Sequence, residues 1–363
     1  MPTRQTERLR LRLPTFGPSN RGTLLRLFCS LAMASCGGGV GIAMPGAGGA
    51  TVGTGGGGPG MGGGSIGTGG ASTATGGRTG SGGAVVGATG GAAGSSGTGG
   101  GSSATCPAGT FPTADPTKAG PFAVTTEANV GPDNAFTLVR PSNLTQSGLC
   151  HPLVTWGNGH GTTPSIYSRL LNQLASHGIV VIASNSSMVS MGDPPPMLAG
   201  VTWVLEQNTN PASVLFGHID TAHIGATGHS EGALATMRAG ADARITTIAP
   251  IEGSMASRNL HGPALLMCGG MDTTLPCSGH VTSFNGITNQ PVMVANQLAA
   301  THTNWMGFGG GGNSTLNPFI VAVTGWMRVH LMGDVALRPM FYGATCTLCQ
   351  DTATWEIMKK MLD

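Results

Sequence analysis

Charge is scarce in this chain. Only 9% of its 363 residues are Asp, Glu, Lys or Arg, and the signs nearly cancel at 17 basic against 15 acidic. A net charge of +2 gives no footing to nucleic acid or an anionic surface as partner, since such partners are held by an excess of one sign. Long apolar runs are missing too. Nothing from Cys106 onward approaches the ~18 consecutive apolar residues of a spanning helix, which argues against a transmembrane enzyme. No G-x-x-x-x-G-K-[ST] sequence is present to cradle a phosphate. Cys346-Thr347-Leu348-Cys349 has no second CxxC and no His pair at metal-ligand spacing, so a structural disulfide is preferred there to redox or zinc chemistry. No metal or organic cofactor is expected.

Glycine is what the chain has in excess, and it is unevenly spread. From Gly37 to Thr105 the sequence is Gly, Ala, Ser and Thr with almost no large side chain. Such a stretch cannot bury enough surface to offset chain entropy, so residues 37–105 are expected to be a disordered linker. Residues 1–36 resemble an export signal, with Arg4, Arg8, Arg10, Arg12, Arg21 and Arg26 ahead of the apolar stretch 27–34. Met33-Ala34-Ser35-Cys36 resembles the lipobox of bacterial lipoproteins, which makes Cys36 a candidate for lipidation and a membrane tether. A secreted or cell-surface protein of the bacterial envelope is expected, and ordinary signal cleavage is the alternative to lipidation. Residues 106–363 are then one catalytic domain, long enough for a large core. Export permits disulfides among Cys106, Cys150, Cys268, Cys277, Cys346 and Cys349. Short loop closures favour Cys268–Cys277 and Cys346–Cys349 and leave Cys106–Cys150, although spacing alone does not choose among the pairings.

Strand and helix signals alternate from about residue 134. Residues 136–140, 152–156, 179–183, 223–227, 246–250, 264–268 and 292–295 read as strands. Residues 165–177, 197–206, 231–239 and 317–332 read as helices. Ile179-Val180-Val181-Ile182-Ala183 is apolar on both faces, as in a strand covered on both sides. The alternation predicts an α/β fold with a mostly parallel sheet and helices on both faces. Ligands bind such sheets at the carboxyl ends of the strands.

Gly228-His229-Ser230-Glu231-Gly232 has the form G-x-S-x-G. With 63 glycines the pattern arises by chance on the order of 0.5 times per chain, and Gly63-Gly64-Ser65-Ile66-Gly67 repeats it inside the linker. Context separates the two: Ser230 alone sits between a strand and a helix, on a turn sharp enough to present a hydroxyl. That hydroxyl needs a base, and the base an acid. Asp272, leaving the carboxyl end of the 264–268 strand, is the first candidate acid, and Glu252, after the preceding strand, is its rival. His302, between the 292–295 strand and the late helix, is the first candidate base, with His280 second. His261 precedes the acid, and His330 lies within a helix. Two backbone amides should stabilise the oxyanion, one from Glu231 and one from His160 in Gly157-Asn158-Gly159-His160-Gly161.

Residues 154–161, 174–181, 228–232 and Gly269-Gly270-Met271-Asp272 together resemble bacterial cutinase-like polyester hydrolases and related lipases of the α/β-hydrolase superfamily. The resemblance runs from about Gly120 to Gly343. It implies a lidless esterase with an exposed, shallow acyl site and no large lid domain. The chain departs from that group at three points. Glu231 stands where Met or Gln is usual, which sets a carboxylate beside the oxyanion hole: the helix dipole favours it, a forming oxyanion does not. His160 replaces Tyr or Phe, and Pro250-Ile251 lacks the Trp that often follows the strand-ending proline. Trp156 and Ile251 are taken as substrate-contacting residues.

The expected chemistry is acyl transfer on a carboxylic ester, whether lipid, polyester or small ester, by a monomer. A peptidase or amidase on the same scaffold is a rival, though no inserted segment is long enough for the cap such enzymes usually carry. A surface-displayed binding module that has lost activity is the non-enzymatic alternative.

Overall fold

The computed structural model describes residues 106, 107, 109–191, 195–256, 259–306 and 316–363. The expected export signal, Cys36 and the linker lie outside the described residues, all of which fall within the unit Ala93–Asp363. Nine strands form one sheet in the order β1-β2-β4-β3-β5-β6-β7-β8-β9. They are β1 (Val124–Val130), β2 (Phe136–Pro141), β3 (His151–Gly157), β4 (Val180–Ser184), β5 (Ile219–His229), β6 (Ile245–Ile251), β7 (Ala264–Gly269), β8 (Val292–Gln297) and β9 (Trp355–Lys360). β4, β3, β5, β6, β7 and β8 pair in parallel. β1 and β2 at one edge and β9 at the other run antiparallel to their neighbours.

The central strands are apolar on both faces because both faces are covered. On β4, Val181 and Ala183 enter one core while Val180 and Ile182 enter the other. β7 and β8 divide in the same way, Leu265, Met267, Met293 and Ala295 against Leu266, Cys268, Val292 and Val294. This is the period-2 alternation of a pleated strand between two layers. The first layer contains α1 (Ser168–Ser176) and α5 (Pro318–Met332), through Leu170, Leu174, Phe319 and Trp326. The second contains α2 (Pro196–Thr209), α3 (Glu231–Ala239) and α4 (Cys277–Gly286), through Met197, Val201, Met237 and Phe284. The result is the α/β-hydrolase arrangement, a mostly parallel sheet with helices on both faces. Among the described residues no helix is long and apolar enough to cross a membrane.

Two strands carry too little apolar signal for the sequence to mark them. β1 mixes half-buried with exposed positions, and β9 is a half-exposed edge strand bearing Glu356, Lys359 and Lys360. Neither carries the apolar run that marks a central strand. β8, expected to be the last strand, is therefore followed by one more that pairs with it.

The disulfides are Cys106–Cys150, Cys268–Cys277 and Cys346–Cys349. The first joins the start of the described domain to the residue before β3 across 44 positions, while the third spans only 3. If loop-closure entropy dominates, replacing both cysteines of the first pair by Ser should cost about 4 kcal/mol and of the third roughly 1.5. Urea denaturation of the two double variants reads this order directly; the reverse order would show that native-state contacts outweigh chain constraint.

Candidate active site

The site begins where β5 meets α3 with no intervening loop. Ser230 sits between them at φ 56°, ψ −115°, a conformation that a non-glycine residue adopts only when its surroundings impose it. They impose it by backbone contact. A Cβ on Gly232 would lie 2.0 Å from the Gly157 carbonyl oxygen, and one on Gly228 2.5 Å from that of Gly232. Only glycine lets the end of β3, the end of β5 and the start of α3 come this close. The turn is further held by Ser230 N–H donating to the Ile251 carbonyl at 3.0 Å.

Around this turn the strand ends bring the predicted side chains together. The Ser230 hydroxyl lies 2.8 Å from His302 Nε2, and His302 Nδ1–H reaches Asp272 Oδ2 at 2.7 Å. The other Asp272 oxygen accepts the amides of Thr274 and Leu275 at 2.7 and 3.0 Å, so the carboxylate is fixed from both sides. Ser230 and His302 are half-buried and Asp272 is buried. Of the other histidines, His280 is buried in α4 and its pKa is pushed down to about 4 by desolvation. His330 packs on Trp326 in α5, and His261 reaches the Ala241 carbonyl.

The loop after β3 is equally constrained. Asn158 takes the Trp156 indole N–H on its Oδ1 and gives its amide to the carbonyls of Ser184 and Ser186. Gly159 N–H donates to the Tyr167 hydroxyl at 3.0 Å, Gly161 N–H to the Ser187 carbonyl and Thr162 N–H to the Gly159 carbonyl. Those amides are engaged, while the backbone N–H of His160 meets no acceptor among the described residues and is open to a ligand. Glu231, first residue of α3, has an amide with no intrahelical acceptor. Its carboxylate is 12% exposed and accepts from three donors: His160 Nδ1–H at 2.8 Å on one oxygen, and Ser190 N–H and Oγ–H at 3.2 and 2.5 Å on the other.

Residues 103–345 match the PET hydrolase-like (PETase) family. The chain belongs to that family. It is a family of polyester hydrolases on the α/β-hydrolase fold. No curated protein matches the chain.

In this PETase-family chain two expected contacts are corrected. Trp156 and Ile251 have no exposed surface at all. Trp156 packs on Tyr167 beneath the site, and Ile251 belongs to the core between sheet and helices; neither side chain can touch a substrate. The alternation along β6 decides it for Ile251, which points inward while its carbonyl serves Ser230.

Behind Ser230, His302 and Asp272 lie residues that no periodicity or spacing in the sequence marks. Tyr167 O–H donates to His229 Nδ1 at 2.9 Å, and His229 Nε2–H donates to the His302 carbonyl at 2.9 Å. Together with Gly159 N–H, this makes a buried chain from the loop after β3 to the loop carrying His302. Desolvation lowers the His229 pKa to about 4, which keeps its ring neutral and suits it to one acceptor and one donor. The only signal in the sequence was the position of His229 beside Ser230. Glu252, the rival acid, makes no part of the triad. It is fully buried, at φ 51°, with Oε2 accepting the Trp305 indole N–H at 2.7 Å and lying 3.3 Å from His229 Nε2. One nitrogen or oxygen from each of His229, Glu252 and His302 lies within 4.8 Å of the others. His302 has both nitrogens in the triad, however, so a metal ion held by this trio would dismantle it.

Burial raises the Glu252 pKa from its ordinary 4.5 to about 8, with the Asp272 charge adding to the effect. The unfolded chain gives up this proton near pH 4.5 while the folded one keeps it to about 8, so stability falls as pH rises through that window. Glu252→Gln has no proton to lose. Its melting temperature relative to the parent should therefore be higher at pH 8 than at pH 5 by calorimetry; an equal difference at both would mean that Glu252 is not held protonated.

Proposed function

We propose that this protein is a serine carboxylic-ester hydrolase that works through an acyl-enzyme. The observation that carries the reading is the Ser230–His302–Asp272 chain of 2.8 and 2.7 Å hydrogen bonds at the carboxyl ends of the parallel strands. Membership of the PET hydrolase-like family supports the bond type. His302 Nε2 takes the Ser230 proton as Oγ attacks the ester carbonyl, and the amides of Glu231 and His160 hold the oxyanion. The protonated imidazole then gives its proton to the departing alcohol. Asp272 keeps Nδ1 protonated and stabilises the imidazolium. A water, deprotonated by the same His302, releases the acid and restores Ser230. Nothing in this sequence requires a metal or organic cofactor.

Export is part of the reading. The basic start, the apolar stretch and Cys36 support passage to the bacterial envelope, and three disulfides suit an oxidising compartment. Lipidated Cys36 would tether a monomeric catalytic domain through the 37–105 linker.

p-Nitrophenyl esters of short and medium acyl chains test the chemistry. Ser230→Ala should lose at least ~10³-fold in kcat/KM; folded parent protein without turnover would move the chain to the binding-module alternative. Glu231→Ala should lower kcat about tenfold with little change in KM, because the loop presenting the His160 amide loses its tie while substrate binding does not. An unchanged kcat would show that the loop holds without it.

A further inference from the structure

The loop that carries His302 does little by itself to fix that residue. Among the described residues the His302 amide N–H meets no acceptor, and its carbonyl takes a single hydrogen bond, from His229 Nε2–H at 2.9 Å. The neighbours are tied elsewhere: the Ala300 carbonyl to Met271 N–H, Thr301 N–H to Asn304 Oδ1, and the Trp305 indole to Glu252. The backbone of His302 is thus held through His229, the residue before Ser230. Rings pack against His229 on three sides, with centroids 4.9 Å away at His302, 5.3 Å at Trp305 and 5.7 Å at Tyr167.

One fixed end sets the direction of every bond behind His302. A carbonyl can only accept, so His229 carries its proton on Nε2. Its buried ring is kept neutral by desolvation, so Nδ1 is an acceptor and takes the Tyr167 O–H, 2.9 Å away. The Tyr167 oxygen has then given its one proton and accepts Gly159 N–H at 3.0 Å. No group can reverse its role without leaving a buried polar atom unpaired. Gly159 is seated on this chain: a Cβ there would lie 2.8 Å from Tyr167 Oη, 3.0 Å from His229 Nδ1 and 3.5 Å from Ser230 Cβ. The next residue is His160, whose amide is proposed for the oxyanion.

We propose that His229 and Tyr167 are positioning residues: the directed chain from Gly159 through Tyr167 and His229 to the His302 carbonyl aligns the base with Ser230 and fixes it relative to the loop after β3. The proposal rests on the esterase reading of Ser230. Both side chains are buried and neither meets substrate. They act through the placement of His302, and a misplacement of ~1 Å at reacting atoms costs up to ~100-fold in rate. Such a loss falls on turnover and leaves substrate binding in place.

Three replacements of His229 in the full chain separate positioning from packing. The amide nitrogen of Gln reaches the place of imidazole Nε2 and can donate to the His302 carbonyl, whereas Asn reaches only the place of Nδ1. Leu keeps bulk and makes neither bond. On p-nitrophenyl butyrate, His229→Asn and His229→Leu should each lose about 30-fold in kcat with KM within about twofold, and His229→Gln should stay within about threefold of the parent. The Nδ1 proton of His302, bonded to Asp272, gives a readout that needs no turnover. Its NMR resonance should move or broaden in His229→Asn and His229→Leu and keep its place in His229→Gln. Equal losses in all three variants would overturn the proposal and mark His229 as packing alone; so would parent-like kcat and resonance in the Asn and Leu variants. Tyr167→Phe removes one hydroxyl and keeps the ring, so it tests the far end of the chain even if the His229 variants fail to fold. Its kcat should fall about fivefold at constant KM, and an unchanged kcat would overturn the link to the loop after β3. A parent with no turnover of p-nitrophenyl esters would strike the esterase reading instead, and the resonance would still decide whether His229 positions His302.

Discussion

The close approach of three backbone segments at Gly157, Gly228 and Gly232 is the constraint on which the site depends. With 2.0 Å between the Gly157 carbonyl oxygen and the place of a Gly232 Cβ, any side chain there would push β3 and α3 apart. Separation would relax Ser230 from its positive φ and swing Oγ away from His302. It would also move the α3 amide of Glu231 relative to the loop after β3, so the proposed nucleophile and the proposed oxyanion donors share one mechanical support. Overpacking of this kind typically costs 1–3 kcal/mol in a core. Here the same displacement would also act on the atoms proposed to react, for which a shift of ~1 Å is severe.

Behind that support lies a polar layer whose protonation is set by burial. His229 is held neutral and Glu252 is held protonated near pH 7, each because desolvation penalises the charged form. Glu252, which could have competed with Asp272 for His302, is thereby silenced, and His229 is left with one donor and one acceptor. They act as fixed donors and acceptors instead, His229 between Tyr167 and the His302 carbonyl, Glu252 against Trp305. A carboxyl in the position of Glu252 is chemically capable of orienting a histidine. What removes it from that role is environment, not residue type.

This explains which features were legible in the sequence. The runs of β4, β7 and β8 announce strands covered on both faces, and Ser230, Asp272 and His302 each follow a recognisable strand in the order the chemistry requires. β1 and β9 were not legible because these edge strands mix polar, charged and apolar residues without a continuous apolar run. Tyr167 and Trp305 were hidden for another reason: an aromatic at helical or loop spacing looks like core, and the hydroxyl or indole N–H that matters is invisible until its partner across 62 or 53 positions is known. Ile251 misled because a position after a strand-ending proline faces either way, and only the register of β6 against β5 and β7 turns it inward.

Glu231 shows how an unfavourable charge can be made useful. A free carboxylate beside a forming oxyanion would raise the barrier it is meant to lower. At the first position of α3 the helix dipole offsets part of that charge, but a dipole alone leaves the oxygens free to turn toward the substrate. The donors prevent this. Ser190 occupies one oxygen twice and His160 the other, so the negative charge is directed away from the amide of the same residue. The bond to His160 does more than neutralise, because the amide of His160 is the second donor proposed for the oxyanion. The carboxylate thus ties the two segments that carry the proposed oxyanion donors and sets their separation, a task that a Met or Gln at this position would perform weakly or not at all. A shorter side chain would not reach both loops, and an apolar one would leave the His160 imidazole without its acceptor.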